Sequence, residues 1–366
     1  MGLRVLYDGY WLHDGPPSGR NVAGSVLRAW AEAFPDDELV VALPVADDVP
    51  VPAVDALPVT RRHVPAPVAN HQLWVRTRLG GAAFGTDAVF SQNFAPMASR
   101  NSRRTAVFVH DAIFQDHPEW FTFAERLYLR GVAAATRAAT AVVTSSEAER
   151  RRLERCFPAA RSRIRAVGLG LPAGIAEAAP KPLARASSRP FILAVGRLNA
   201  RKNLGRLIEA YRSSAVLTAG FDLVVVGEAD GRAAGLDGTA RADRAGRIDL
   251  VGGVDDAQLK WLYQHAAVFA FPSLDEGFGL PLLEARTLGA VSVVSDIPVF
   301  RELDLADAYF DPTDVASIRE ALEATLADAP DAAVRPGDPA RYTWEGAAAG
   351  IRELLTGASL ALEAAS

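Results

Sequence analysis

The 366-residue chain contains one cysteine, Cys156, so it can form neither an internal disulfide nor a cysteine-built metal cluster. A reducing cytoplasm is the compartment this usage predicts. No apolar run approaches the ~18 residues a membrane-spanning helix needs. The first residues, MGLRVLYDGYW, are interrupted by Arg4 and Asp8 and do not read as a secretory signal. The charge balance has no positive excess: the formal net charge is −5, which argues against nucleic acid as a partner. Three motifs are also missing. No GxGxxG follows the first predicted strand, there is no Walker loop, and GxSxG does not occur. Dinucleotide enzymes, P-loop NTPases and α/β-hydrolases are thereby disfavoured.

What is present is an ordinary globular profile, 49% hydrophobic and 23% charged, long enough for two or three domains. Short apolar, β-branched runs recur and predict strands at 3–7, 38–43, 87–91, 105–110, 139–145 and 163–167. A helix is predicted at 25–34 and another from Glu147 to Arg155. Residues 168–190 are rich in Gly, Pro, Ala and Ser, lack periodicity, and read as a linker. The rhythm then restarts, with strands at 191–196, 221–227, 248–253, 268–271, 291–295 and 308–310. Helices are expected at 203–211, 256–266 and 316–327, and a terminal one over 344–365. Two doubly wound α/β domains facing across a cleft are the predicted architecture. The expected boundaries are 1–185 for the first domain, 186–345 for the second and 346–366 for a C-terminal helix.

The densest chemistry lies between Phe269 and Glu284, FAFPSLDEGFGLPLLE. An apolar strand stops at Pro272, which cannot donate to a sheet ladder. Asp275 and Glu276 follow, then the turn Gly277-Phe278-Gly279, then a helix that Pro281 suits at its first position. Glycines let backbone N–H groups approach a ligand, and a helix N-terminus favours an anion such as phosphate. Acceptors on both sides of an anion site suit a nucleotide-sugar. A second basic stretch, Gly196 to Asn203 (GRLNARKN), follows a strand and precedes a helix. Arg197 can act as a forked donor and Lys202 as a compact charge, both aimed at a diphosphate. Spacing favours Lys202 over the adjacent Arg201.

Glu276 and Glu284 with GFGLPLL between them, together with G-R-x4-K-N, resemble the motifs of retaining GT-B glycosyltransferases of family four (group 1). The likeness covers nearly all of the second half and is looser over the first. It implies two Rossmann-like domains, a nucleoside-diphosphate sugar donor and no bound metal or cofactor. The absence of any Asp-x-Asp agrees with that. It also implies roles: Glu276 on donor-sugar hydroxyls, Glu284 on the ribose, and backbone groups of Phe278, Gly279 and Leu280 at the sugar and diphosphate. Val254 would face the base. In the first half, Gly19 matches the family's glycine loop, here expected as flexible chain over 14–21. His110, ending its strand, matches a histidine near the reacting sugar carbon. The terminal helix is implied to return to the first domain.

Asp111 and the downstream HPEWF (117–121) resemble mannosyl- and rhamnosyltransferase-like members, so GDP-mannose is the donor and mannose the hexose expected. The acceptor would be a hydroxyl on a glycan, a lipid-linked saccharide or a small molecule. Seven arginines between Arg150 and Arg165, diluted by Glu147, Glu149 and Glu154, leave a local positive surplus. A membrane-facing surface at the inner leaflet is one reading; a solvated helix face is the commoner one. Two other functions share the architecture, a non-catalytic sugar-nucleotide-binding protein and a nucleotide-sugar 2-epimerase. Joint retention of Arg197, Lys202, Glu276 and Glu284 argues against the first. The missing dense histidine–carboxylate set argues against the second.

Overall fold

The computed structural model describes residues 2–66, 70–82, 85–96, 104–183, 189–228, 247–328 and 337–357. The chain divides into two compact units, Met1–Pro172 with Tyr342–Ser366, and Ala173–Arg341.

Unit 1 is built on seven strands: β1 Arg4–Asp8, β2 Glu38–Leu43, β3 Thr60–His63, β4 Ala88–Gln92, β5 Arg104–Phe108, β6 Ala141–Thr144 and β7 Ile164–Ala166. They are all parallel, in the order β3-β2-β1-β4-β5-β6-β7. Val5 lies beside Leu39 on one flank and Ala88 on the other. Helices cover both faces of such a sheet, so the central strands read as continuous apolar runs; β4 and β6 are buried throughout. Each fully buried Val, Leu or Phe contributes about 1.5–3 kcal/mol.

Several elements of unit 1 depart from the expected pattern. The helix expected at 25–34 begins earlier and runs Pro17–Ala33, with Pro at its start and Val22, Val26, Leu27 and Trp30 on its buried stripe. The loop expected over 14–21 is correspondingly shorter. β3, sequence TRRH, is a half-exposed edge strand whose charges hide its strand character. The helix Phe123–Ala138 opens on a reciprocal capping box between Thr122 and Glu125.

The helix Trp344–Thr356 belongs to unit 1. Arg352 grips Asp37 with two bonds, 2.7 and 3.0 Å, and lies over the Phe34 ring. Trp344 Nε1 donates to Leu171 O at 2.8 Å. The portion of this helix expected beyond Gly357 lies outside the described residues.

Unit 2 has six parallel strands: β8 Phe191–Val195, β9 Asp222–Val226, β10 Ile248–Gly252, β11 Val268–Phe271, β12 Ser292–Ser295 and β13 Ala308–Phe310. Their order is β10-β9-β8-β11-β12-β13. The segment read as linker contains a short helix, Ala173–Glu177, that buries Ile175, and Lys181 N bonds Ala257 O. Part of that segment therefore packs as unit 2, and residues 184–188 of it lie outside the described residues.

Candidate functional site

In unit 2 the strand order reverses between β8 and β11. The chain leaves β8 towards β9 on one side, and β11 lies on the other. In an open parallel sheet such a switch point, at the carboxyl ends of the strands, is where ligands sit. Both motif stretches start there. Gly196 to Asn203 follows β8, and Pro272 to Gly279 follows β11.

The two stretches meet through Glu276. Its Oε1 accepts from Lys202 Nζ and from Ser273 Oγ, at 2.6 and 2.7 Å, and its Oε2 accepts from Arg201 Nη1 at 2.6 Å. Lys202 and Glu276 are both buried, and the Lys202 ammonium lies 4.6 Å from the centre of the Phe271 ring. Burial alone would raise the Glu276 carboxyl; the Arg201 and Lys202 charges outweigh it and hold the group down to about 2. Glu276 is thus an ionised acceptor at any physiological pH. Burial lowers Lys202 from the ordinary lysine value, and Glu276 opposes that shift. Gly196 lies beneath the lysine stem, and a side-chain Cβ there would come 3.0 Å from Lys202 Cε and press on it.

Asn203 locks this geometry. It adopts a left-handed conformation, φ 55°, and its amide donates to Pro272 O and Pro312 O at 3.1 and 2.7 Å. The loop after β8 is thereby bolted to the end of β11. Arg197, exposed, stands at the start of the same loop. An open depression of about 490 Å³ beside the loop is lined by Leu198, Asn199, Leu204 and Glu209, and by none of Lys202, Glu276 or Glu284; it is not the site.

Gly279 caps the helix Leu280–Thr287 at φ 106°, with no side-chain cap on the first turn. Phe278 is buried and Leu280 half-buried. The helix carries Glu284, whose Oε2 accepts from the Tyr263 hydroxyl at 2.9 Å. Burial pushes the Glu284 carboxyl up to about 7, against the lowering effect of that bond. Val254 is half-buried just ahead of Asp255, which forms a capping box for the helix Asp256–His265.

Arg201, Ser273 and Tyr263 join this site without having been singled out by the sequence. Spacing set Arg201 aside, and Ser273 and Tyr263 carried no signal of a site. Tyr263 is fully buried and hydrogen-bonded as well.

Two of the expected residues lie in unit 1. Gly19 sits inside the helix Pro17–Ala33, pressed on the Trp11 indole: an added Cβ would come 2.6 Å from Trp11 Cε3. Its position therefore also has a packing cause. His110 follows β5 at the carboxyl edge of the sheet, half-buried between Trp11 and Phe108, each ring 4.8 Å away. Its Nε2 pairs with Gln92 Oε1 at 2.9 Å. Burial, with the nearby His71, lowers His110 to about 3, so the ring is neutral. With Gln92 Oε1 as acceptor, Nε2 carries the hydrogen and Nδ1 the lone pair.

The chain belongs to the group 1 glycosyl transferases, whose family model matches residues 176–356. The serotype-specific mannosyltransferase WbdA of Escherichia coli is 35% identical over 147 residues, 38% of this chain and 18% of that protein. The GDP-mannose:cellobiosyl-diphosphopolyprenol alpha-mannosyltransferase of Komagataeibacter xylinus is 33% identical over 168 residues, 43% of this chain and 42% of its own. The chain spans about a fifth of the length of the first relative and under half of the second. The fold is that of sucrose-phosphate synthase from Thermosynechococcus elongatus, with a TM-score of 0.66 at 17% identity over 99% of this chain and 97% of that one.

Proposed function

We propose that the protein is a retaining, metal-independent glycosyltransferase that moves mannose from GDP-mannose to an acceptor hydroxyl. The observation that carries this is the buried Lys202–Glu276–Arg201 cluster at the switch point of unit 2, next to an uncapped helix N-terminus. An ionised Glu276 accepts hydrogen bonds from sugar hydroxyls. Lys202 and Arg197 supply positive charge where the departing diphosphate becomes more negative, which is the kind of interaction that accelerates the step. The first N–H groups of Leu280–Thr287 add donors and a positive dipole end. Glu284 and Tyr263 are assigned to the ribose.

The mannose assignment leans on the relatives, both named as mannosyltransferases. The leaving phosphate would take the acceptor proton on the face from which it departs, so the new bond keeps the donor's configuration. The acceptor, a glycan, lipid-linked saccharide or small molecule, is assigned to unit 1.

The test is GDP-mannose turnover in EDTA, on the wild type and on Lys202→Met. Wild-type turnover should survive chelation, and the variant should fall by roughly two to three powers of ten, as expected when a preorganised donor to developing charge is removed. Activity abolished by EDTA and restored by Mg²⁺ would overturn the metal-independent mechanism. A variant unchanged in both turnover and GDP affinity would remove Lys202 from the site.

A further inference from the structure

Unit 1 has its own switch point, between β1 and β4. The strand ends there bring together Asp8 on β1, Gln92 on β4 and His110 just past β5. Asp8 is fully buried. Its Oδ2 accepts from His71 Nε2 at 2.7 Å and from Gln92 N at 3.1 Å, and its Oδ1 accepts from Tyr10 N at 3.1 Å. Because a carboxylate only accepts, His71 Nε2 carries a hydrogen, and Nδ1 is the end of the ring turned away from Asp8. A carboxylate that orients an imidazole in this way leaves the second nitrogen to act on something else.

That second nitrogen is buried and has no hydrogen-bond partner, and the same holds for the amide Nε2 of Gln92. Neither residue is more than 3% exposed. Unmet buried polar groups are uncommon, and two in one network call for an explanation. Gln92 is followed by Asn93 in a left-handed conformation, φ 57°, whose Oδ1 accepts from His110 N at 3.2 Å. Strained residues of this kind gather at ligand sites. The rings of Tyr10, Trp11 and Phe94 stand 5.0, 5.2 and 5.4 Å from His71. Half-buried His110 is the most exposed member of the set.

Aromatic walls with a few convergent polar atoms are the makings of a small-molecule site. Here one unmet atom, Gln92 Nε2, is a donor, and the other, His71 Nδ1, accepts or donates according to the proton it carries. A hydroxyl supplies both complements; a methylene in its place supplies neither. We propose that His71 and Gln92 form a subsite that selects one hydroxyl of a sugar substrate. This rests on the glycosyltransferase reading.

Two variants isolate the idea. His71→Gln puts an amide nitrogen where Nε2 was, so Asp8 keeps its donor while the Nδ1 face is lost. Gln92→Met keeps the volume and removes the amide. Each is first checked for a cooperative thermal transition and for GDP affinity. Monodeoxy GDP-mannoses are then compared with GDP-mannose in turnover, and monodeoxy methyl α-mannosides with methyl α-mannoside in binding.

In the wild type, one deoxy position in one of the two series should cost roughly tenfold or more, because a site built for a hydroxyl rejects its absence. That series identifies the sugar as donor or acceptor. In both variants the penalty should shrink to under about twofold, with GDP affinity kept, since the substrate without the hydroxyl no longer leaves those atoms unmet. Folded variants with the wild-type penalty would overturn the subsite, as would a wild type indifferent to every deoxy position. A wild type that binds no GDP would instead bring down the glycosyltransferase reading, and the inference with it.

Discussion

Glu276 and Glu284 are the same side chain eight positions apart, and their surroundings drive them in opposite directions. Glu276 faces two cations and is held down to about 2. Its contribution to stability is complete above the ordinary carboxyl value and is lost as pH falls through about 2. Glu284 is pushed up by burial to about 7, so the folded protein prefers it protonated. It therefore weakens the ligand-free fold above pH 7, and the loss is relieved as pH falls towards the unfolded value. Glu284→Gln should have a higher Tm than the wild type at pH 8, with the gap closing by about pH 5. Calorimetry of the ligand-free proteins across that range checks it; a gap independent of pH, or a variant less stable at pH 8, contradicts it. Glu276, Glu284 and Lys202 stand out in the sequence by spacing, and the structure sets Glu276 against Lys202 and Glu284 against Tyr263. Arg201, Ser273 and Tyr263 do not stand out, because their partners depend on how the chain folds. Arg201 reaches Glu276 only because β8 and β11 are neighbours. His71 gave no signal either, since its partner Asp8 lies 63 residues away.

The elements that hold the site are set by a few backbone positions. Gly279 is the clearest: its φ of 106° disfavours any side chain, and a Cβ there would lie 2.7 Å from Phe300 Cε1. Gly279→Ala should cost about 1–3 kcal/mol of stability. It should also weaken GDP binding, because the start of Leu280–Thr287 would have to shift. Gly205→Ala, in the exposed first turn of Leu204–Ser213 with nothing within 4 Å of the added carbon, serves as the control. It should be neutral or stabilising by up to about 1 kcal/mol. Denaturant unfolding with GDP titration measures both. Equal effects at the two glycines would mean the turn tolerates what its geometry forbids. At this scale the apolar strands were plain from sequence, because burial on both faces writes them as uninterrupted Val, Leu, Ala and Phe. β3 was not, since TRRH at a sheet edge looks like loop. The helix Phe123–Ala138 was missed although TFAE carries its capping box. The early start of Pro17–Ala33 was hidden by a Gly- and Pro-rich stretch that reads as loop.

For the whole molecule, the alternation of strand and helix was enough to foresee two parallel α/β sheets, and the family's motifs were enough to foresee GT-B relatives. The docking of Trp344–Thr356 on unit 1 was foreseen only through the family resemblance. Its fastening, Arg352 on a buried Asp37, joins positions 315 apart and no local pattern announces it. The basic run from Arg150 is less available to a membrane than its composition implies. Arg150 pairs with Glu147 and Glu154, Arg152 with Glu149 and Asp116, and Arg155 with Asp116. Among the described residues no helix is long and apolar enough to cross a membrane. In the proposed chemistry, Lys202 and Arg197 of unit 2 would stabilise a leaving diphosphate while the sugar is transferred with its configuration kept. The direct measurement is the anomeric configuration of the product formed from GDP-mannose, read by NMR from the one-bond carbon–hydrogen coupling at the transferred sugar. The account predicts an α-linked mannose, the configuration of the donor; a β-linked product would contradict it.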